Sequence, residues 1–304
     1  MPSSSTRVVL AALAGNLGVA TAKFVAAGMS GSSAMLTEAI HSLIDTGNQG
    51  LLLVGEVRGR KPPDDSHPLG YGMEAYFWSF IVALMIFLLG GVISLYQGLQ
   101  HLFHPRPIEA PWISLGVLAL AVVLEGGSLL VGVRAYRRAV HGRPVGIWRF
   151  IRLSKDPSVF SVLLEDSAAL VGILLASGGV IGSRFLGLAW ADGGASMAIG
   201  VLLVAIAFVL ANETRSLIAG EAVSPPVQAR LRAVLEREPR IKTLVDITTL
   251  QLGPGSILVA PTLVFQPDAS ALDVANAIDD LASAMREADG RVARVYVRLA
   301  RSTP

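Results

Sequence analysis

The 304-residue chain has no cysteine, and this absence excludes both disulfide bonds and metal sites built on thiolate ligands. Charge is scarce as well, because only 16% of the residues are Asp, Glu, Lys or Arg. Apolar residues make up 52% of the chain, and the mean hydropathy is +0.58. A soluble globular domain carries more charge and less apolar surface than this. The composition therefore predicts a membrane protein.

The excess of basic over acidic residues is too small and too scattered to indicate a nucleic-acid partner. The formal net charge is +2, and Lys and Arg fall mostly in short segments between apolar runs. Enzymatic chemistry is not expected either, because no pairing of a nucleophile with a base is evident. Gly70 and Gly72 lack the following lysine of a phosphate-binding loop.

Apolar runs of about 20 residues, the length needed to cross roughly 30 Å of hydrocarbon, occur six times in the sequence. They cover about 8–28, 33–55, 76–103, 111–133, 159–183 and 193–212. We therefore expect a six-helix transmembrane domain over residues 1–215 and a different kind of domain over residues 216–304. No cleavable signal peptide is expected, because the first run is long and a second follows at once.

Basic residues cluster after the second and the fourth apolar runs. The second cluster has seven members: Arg134, Arg137, Arg138, Arg143, Arg149, Arg152 and Lys155. The intervening loops hold little beyond Arg106 and Arg184. By the positive-inside rule the two clusters and both termini lie in the cytoplasm. A prokaryotic cytoplasmic membrane is the expected location.

The tail has the pattern of a small α+β domain. Ser224 before Pro225 predicts a helix start, and the turn at residues 253–255 between two apolar segments predicts a hairpin. Ser270 and Asp273 resemble a capping box that opens a second helix, and a final strand follows at residues 292–299. The expected order is αββαβ. Dimerisation, regulation and metal binding are all open to such a domain, but every histidine lies upstream of residue 142, so we favour dimerisation.

The second apolar run carries a stripe of side chains that bind metal ions. Glu38, His41, Asp45 and Asn48 are spaced i, i+3, i+7 and i+10, which places them on one face of a helix. His41 and Asp45 lie one turn apart, close enough to share a divalent cation with ligands from another helix. Ionisable groups inside a membrane are costly and usually functional. The alternative is a structural polar cluster in which His41 bonds to Asp45.

The fifth run contains the adjacent carboxylates Glu165 and Asp166, which differ by about 100° around a helix. Both cannot face one site equally well, and the sequence does not choose between them. For Asn16 in the first run and Glu125 in the fourth, a role in a pathway and an interhelical hydrogen bond are equally good explanations. Asp192 begins the sixth run, where a helix N-terminus favours a carboxylate.

Three stretches together resemble the cation diffusion facilitator family. SGSSAMLTEAIHSLID contains His41 and Asp45 at the positions of the second-helix His/Asp-x-x-x-Asp motif. HPLGYGMEAYFW resembles the segment that enters the third helix, and AGNLGVATAKF resembles the first helix with its asparagine and following lysine. The resemblance implies six membrane helices, a cytoplasmic metallochaperone-like (ferredoxin-like) domain, a homodimer and transport of divalent metal ions.

The fifth helix departs from the family pattern. A second His/Asp-x-x-x-Asp motif is usual there, and the match places Asp166 on the aspartate but Val162 on the first ligand position. A four-ligand site is therefore short of one ligand, and Glu165, Asn48 or a water molecule could supply it. The Glu-Asp pair itself resembles the branch that includes zinc transporter family member nine.

The residues and the resemblance together predict a cation site at mid-membrane. We expect His41, Asp45 and Asp166, helped by Glu165 or Asn48, to hold the transported cation, with no prosthetic group. One imidazole with carboxylates favours Zn²⁺, whereas Mn²⁺, Fe²⁺ and Co²⁺ stay open. Because ligands must lose protons to bind metal, proton antiport is the expected mechanism. The alternatives are a membrane metal sensor or scaffold that does not transport, and a transporter of another solute.

Overall fold

The computed structural model describes residues 4–139, 146–153 and 155–301. Arg143, one of the basic residues in the predicted cytoplasmic cluster, lies outside the described residues.

The chain forms two compact units, each assembled from segments that are distant in sequence. The first unit has three segments: Met1–Gly55, Phe77–Gly146 and Ser158–Thr214. The second unit also has three segments: Glu56–Tyr76, Ile147–Pro157 and Arg215–Pro304. The tail is thus joined in one unit with the connections that follow the second and the fourth apolar runs.

Long helices follow all six apolar runs. In chain order the helices before the tail are α1 (Ser4–Ser30), α2 (Ser33–Gly59), α3 (Glu74–Met85), a π-helix (Ile86–Val92), α4 (Ile93–Phe103), α5 (Pro111–Ala139), α6 (Ile147–Leu153), α7 (Pro157–Phe185) and α8 (Ala191–Ile218). α3, the π-helix and α4 follow one another without a break and together cover the third run. The protein is therefore an α-helical membrane protein, as the composition predicts.

Four helical stretches among the described residues are long and apolar enough to cross a membrane. They are Glu74–Phe103, Pro111–Arg134, Phe160–Phe185 and Ala191–Ile218. α2 has the same kind of length, 27 residues, but its polar stripe lowers its hydropathy. Three of the four stripe residues, Glu38, His41 and Asn48, are buried inside the bundle, and the Asp45 side chain is 14% exposed.

Glycines bring α4 and α8 into direct backbone contact. An added Cβ at Gly98 would lie 2.6 Å from the backbone nitrogen of Met197, and one at Gly200 would lie 2.8 Å from that of Leu95. Only hydrogen fits at either position. Small residues on both helices allow this close approach, which provides van der Waals attraction where no hydrophobic effect acts between membrane helices.

The tail has the predicted order of helices and strands. Its elements are α9 (Pro225–Glu236), β1 (Ile241–Gly253), β2 (Ser256–Phe265), α10 (Ala271–Ala288), β3 (Val292–Val295) and β4 (Arg298–Leu299). β1 pairs antiparallel with β2, and β3 and β4 both pair parallel with β2. The predicted αββαβ domain is confirmed, with its last strand in two pieces. α10 forms the long connection that a parallel pairing requires.

The helix starts in the tail follow the sequence signals closely. The Ser270 hydroxyl accepts a hydrogen bond from the Asp273 backbone N–H at 3.2 Å, and the Asp273 carboxylate accepts one from the Ser270 N–H at 3.0 Å. This is the predicted capping box. Ser224 has the extended backbone of a helix cap, but its side chain makes no capping bond. There Pro225 begins the helix through its fixed φ angle.

A bulge in the last strand explains its spacing of apolar residues. The register against β2 shifts by one residue between Val292 and Arg294. Val292 and Val295, three apart, therefore both pack toward the tail core, although a regular strand would point them to opposite faces.

The tail core lies between the sheet and the two helices. Its buried apolar members are Val223, Val227, Leu231, Leu235, Ile247, Ile257, Val259, Leu263, Leu281, Met285 and Val292. Val274 and Ile278 of α10 are only half-buried. They lie in the first turns of α10, while Leu281 and Met285 further along cover the core.

The loop between α2 and α3 packs against the turn between β1 and β2. An added Cβ at Gly72 would collide with the Leu252 carbonyl oxygen, so only glycine fits there. Asp64 organises the loop by accepting hydrogen bonds from the His67 backbone N–H at 2.8 Å and the Tyr71 hydroxyl at 2.7 Å. A hydrogen bond from the Ser66 hydroxyl at 2.7 Å, together with those from Tyr71 and His67, holds the pKa of Asp64 well below its ordinary value. The HPLGYG segment therefore has a structural role in the second unit.

Candidate metal site

Helix α2 is fixed at its N-terminus by a carboxylate from another helix. Asp192 accepts hydrogen bonds from the backbone N–H and the hydroxyl of Ser33, at 2.6 and 2.8 Å, and from the hydroxyl of Ser32. Asp192 lies in the first turn of its own helix, α8, as the sequence suggests, and its carboxylate also caps α2. This bond holds the start of the polar stripe in place.

The polar stripe of α2 is mostly buried, with Asp45 its most exposed member. His41 is 2% exposed and Asn48 is completely buried. His41 Nε2 lies 3.5 Å from Asp45 Oδ2, so the imidazole and the carboxylate meet one turn apart, as the spacing predicts.

Glu38, at the start of the stripe, is paired with a lysine from α1. Lys23 Nζ lies 3.0 Å from Glu38 Oε2 and donates a hydrogen bond to the Ser42 hydroxyl at 2.6 Å. Both charged side chains have no exposed surface. The other Glu38 oxygen lies against Gly172 of α7, where an added Cβ would collide with it. The structure therefore separates Glu38 from the other members of the stripe by giving it a positive partner.

Helix α7 presents both of its adjacent carboxylates to one cavity. Glu165 Oε2 accepts a hydrogen bond from the Asn48 side chain at 3.4 Å, which links α7 to α2. Asp166 Oδ2 accepts one from the Ser128 hydroxyl at 2.8 Å, which links α7 to α5. The sequence does not choose between the two carboxylates, and in the structure both of them line the cavity.

We refer to this space as the central cavity. It has a volume of about 40 Å³ and is lined by Asn16, Val19, Ser42, Asp45, Gln49, Leu52, Leu124, Glu125, Ser128, Val162, Glu165 and Asp166. Four helices contribute to it: α1, α2, α5 and α7. A water molecule needs about 10–15 Å³ by this measure, so the cavity has room for a cation with one or two waters.

Several buried polar atoms beside the central cavity have no hydrogen-bond partner among the described residues. They include both ring nitrogens of His41, Asp45 Oδ1, Asn48 Oδ1 and Glu165 Oε1. Buried polar atoms are nearly always paired in folded proteins. A cluster of free nitrogen and oxygen lone pairs on facing helices is therefore suited to a cation. Within the described residues no three His, Asp or Glu side chains are close enough to hold a metal ion together.

The two weaker sequence candidates also line the central cavity. Asn16 donates a hydrogen bond to the Gln49 side chain at 3.0 Å, so it combines the interhelical bond with a place on the cavity wall. Glu125 lies on the wall formed by α5.

Three polar side chains at the site are not among the site residues that the sequence predicts. Lys23 and Gln49 lie on α1 and α2, and Ser128 on α5 binds Asp166. Lys23 has a visible signal, since a lysine inside an apolar run is costly without a partner. Gln49 and Ser128 carry no comparable signal, because uncharged polar residues are common in membrane helices.

The fold and the site define a class: a helical membrane protein with a buried, carboxylate-rich site between its helices. The family model of the cation efflux transmembrane domain matches residues 9–219. The chain belongs to the cation efflux family, also called the cation diffusion facilitators.

Individual relatives are similar over most of this chain. The human proton-coupled zinc antiporter SLC30A9, mitochondrial, is 36% identical over 236 residues, which cover 77% of this chain and 41% of the relative. Metal tolerance protein C4 from Arabidopsis thaliana is 31% identical over 252 residues, covering 83% of this chain and 55% of the relative. The chain thus spans about half the length of these relatives. A nickel form of the MamM C-terminal domain is a solved structure with 15% identity and a TM-score of 0.25, covering 26% of this chain and 100% of that domain.

Proposed function

We propose that the protein transports a divalent metal cation across the membrane in exchange for protons, with Zn²⁺ as the preferred ion. The observation that supports this most is the set of unpartnered atoms of His41, Asp45, Asn48 and Glu165. Asp45 and Glu165 line the central cavity, and His41 and Asn48 contact these two carboxylates. A structural polar cluster would pair these atoms with one another. Membership of the cation efflux family agrees with a cation as the missing partner.

Zn²⁺ is favoured by the chemistry of the ligands and by one relative. His41 offers an imidazole nitrogen, while Asp45, Glu165 and Asp166 offer carboxylate oxygens, and this mixture suits Zn²⁺ better than it suits the oxygen-seeking Mn²⁺. The human relative is named as a proton-coupled zinc antiporter. Fe²⁺ and Co²⁺ remain the main competitors.

Proton exchange follows from competition at the same atoms. A carboxylate or an imidazole binds a metal ion only after it has lost its proton. The site therefore takes up the cation as protons leave, and protonation releases the cation after the site has opened to the other side. Access alternates between the two sides of the membrane, and the cation moves out of the cytoplasm.

The remaining parts of the proposal concern placement. Both termini lie in the cytoplasm, because the basic clusters mark the cytoplasmic side. A transmembrane domain of residues 1–215 carries the cation, and a tail of residues 216–304 joins two copies of the chain. The prokaryotic cytoplasmic membrane is the proposed location.

Flux measurements with the purified full chain in lipid vesicles test the proposal. We expect Zn²⁺ uptake that depends on a pH gradient, and Asp45→Ala should abolish it. Glu109→Ala is the matched control, because Glu109 is an exposed carboxylate outside the central cavity. Absence of Zn²⁺ flux, or equal flux in Asp45→Ala and the unmodified chain, would contradict transport through this site. Flux that ignores the pH gradient would contradict proton exchange, and competition by Fe²⁺, Co²⁺ or Mn²⁺ would rank the ions.

A further inference from the structure

The central cavity contains an apolar side chain where the family motif has a ligand. Val162 lines the cavity four residues before Asp166, and it has no atom that binds a cation. The wall on this side is completed by α5, which packs next to α7 through the hydrogen bond from Ser128 to Asp166 at 2.8 Å. We therefore expect the ligand that replaces Val162 to lie on α5.

Most of α5 is apolar and exposed on the surface of the bundle. Val123, Leu130 and Val131 are 70%, 59% and 63% exposed. Glu125 is the single acidic residue in the apolar stretch Pro111–Arg134 of this helix. A carboxylate within such a span is costly and rare unless it serves a function.

Glu125 shares a face of α5 with the residue that binds Asp166. It lies three residues before Ser128, and side chains at this spacing are neighbours on a helix surface. Glu125 and Ser128 both line the central cavity, together with Asp45 and Glu165. The polar face of α5 therefore lines the same cavity as the carboxylates of α2 and α7.

Nothing in the described part of the chain neutralises Glu125 directly. No hydrogen bond or ion pair within 4.0 Å reaches its carboxylate, and the buried Lys23 of α1 is bonded to Glu38 and Ser42. Glu165, which also lines the central cavity, lacks a neutralising partner in the described part of the chain too. It is 6% exposed, and its Oε1 has no partner among the described residues. One divalent cation in the cavity compensates both carboxylates at once.

We propose that Glu125 is a direct ligand of the transported cation and takes the place left by Val162. This inference rests on the proposed transport function and adds a third helix, α5, to a site shared by α2 and α7. It also explains how a chain with valine at a ligand position keeps a complete set of ligands. Inward movement of α5 with α7 brings the carboxylate to the ion, because the bond between Ser128 and Asp166 links the two helices.

Equilibrium binding of Zn²⁺ to the purified full chain tests the inference apart from transport. Glu125→Gln should weaken binding on the order of 10- to 100-fold, as loss of a metal-site partner does. Glu109→Gln is the control and should bind Zn²⁺ as the unmodified chain does. Adding Val162→Asp to Glu125→Gln should restore most of the lost affinity, because it returns a carboxylate to the cavity from the neighbouring helix.

The absorption spectrum of bound Co²⁺ gives a second readout that depends on the ligands themselves. Glu125→Gln should change the spectrum, whereas Glu109→Gln should leave it unchanged. Unchanged affinity and an unchanged spectrum in Glu125→Gln would overturn the inference, and so would weaker binding that Val162→Asp does not restore. If the unmodified chain binds no metal, the proposed function itself fails. If the unmodified chain binds and transports Zn²⁺, and Glu125→Gln has the same Zn²⁺ affinity and the same Co²⁺ spectrum, only the proposed role of Glu125 is contradicted.

Discussion

Buried polar groups are handled differently in the helical unit and in the tail unit. In the tail, Asp289 is 8% exposed and accepts hydrogen bonds from Arg230 at 2.7 Å and from Arg291 at 2.7 and 2.8 Å. Among the described residues, every buried side-chain nitrogen or oxygen without a partner belongs to the helical unit. His41 and Glu165 are the clearest examples.

The helical unit also contains a buried ion pair, in which Lys23 neutralises Glu38 although Glu38 Oε1 makes no hydrogen bond to the described residues. Lys23 and Glu38 form an ion pair within one or two turns of His41. The chain can therefore satisfy buried charges in the bundle, and it leaves those around the central cavity open. Paired groups hold the protein together, whereas open groups are available to a ligand. Four groups of substitutions, ordered from the largest expected effect to the smallest, test this distinction.

The largest effect is expected from removing an open group. Glu165→Ala and Asp166→Ala should each reduce Zn²⁺ flux on the order of 100-fold. Thermal unfolding should occur at the same or a higher temperature, because the substitution removes a buried carboxylate that lacks a full set of partners. Flux and unfolding are measured on the same purified preparations. If Glu165→Ala leaves Zn²⁺ flux unchanged, Glu165 is not a ligand. The distinction between paired and unpaired buried groups would then be contradicted for Glu165.

The second effect concerns the paired charge. Lys23→Met should destabilise the protein by about 3–5 kcal/mol, because Glu38 is then buried without a partner. Adding Glu38→Gln should recover a large part of the loss. The exposed pair of Arg60 and Glu56 is the control, and Arg60→Met should change stability by less than about 1 kcal/mol. Equal effects of Lys23→Met and Arg60→Met on denaturant unfolding would show that burial of the pair is irrelevant.

The third effect concerns the close contact between Gly172 of α7 and the Glu38 carboxylate. Gly172→Ala places a Cβ against Glu38 Oε1 and should destabilise the protein by about 1–3 kcal/mol. Gly178 lies on the same helix, and an added Cβ there meets nothing within 4 Å. Gly178→Ala should therefore be neutral or stabilising by up to about 1 kcal/mol, since alanine favours helix. A similar loss in both variants would mean that helix geometry, and not the Glu38 contact, is responsible.

The smallest effect is in the tail and depends on pH. Hydrogen bonds from Arg291 hold the pKa of Asp289 well below its ordinary value, and Arg230 contributes to the same shift. Because the pKa is lowered in the folded state, the stabilisation is complete above the ordinary carboxyl pKa of about 4 and is lost as the pH falls toward the folded-state pKa.

Asp289→Asn should therefore destabilise the tail by about 1 kcal/mol near neutral pH and by progressively less below about pH 4. Hydrogen exchange of residues 225–301 in the full chain measures this difference. Asp279→Asn, on an exposed part of α10, is the control. A difference between Asp289→Asn and the unmodified chain that grows as the pH falls would contradict the assignment.

The tail was largely predictable because its signals are local. A capping box, a glycine turn and apolar spacing act over a few residues, so Ser270, Asp273 and the turn at residues 253–255 could be assigned correctly. The split last strand was not predictable, since the bulge at Val292 depends on pairing with β2. Ser224 shows the limit of such signals, because its side chain makes no cap bond.

Only part of the site could be predicted from the sequence. Spacing alone places His41, Asp45 and Asn48 on one face of α2, and it places Glu165 and Asp166 side by side on α7. Spacing does not say which helix meets that face. Lys23 and Ser128 come from helices whose positions are set by packing, so their bonds to Glu38 and Asp166 appear only in the folded chain.

The sequence by itself determined that the protein is a helical membrane protein with a small α+β tail, because apolar length and local turn chemistry act along the chain. It also determined which types of ligand are available, since a chain without cysteine offers no thiolate. Only the tertiary structure decided which of the buried charges are neutralised and which stay open. The physical reason is that the cost of burying a charge depends on the partner that packing brings to it. At the central cavity packing brings together carboxylates of α2, α5 and α7, and no Lys or Arg is among the described residues that line it.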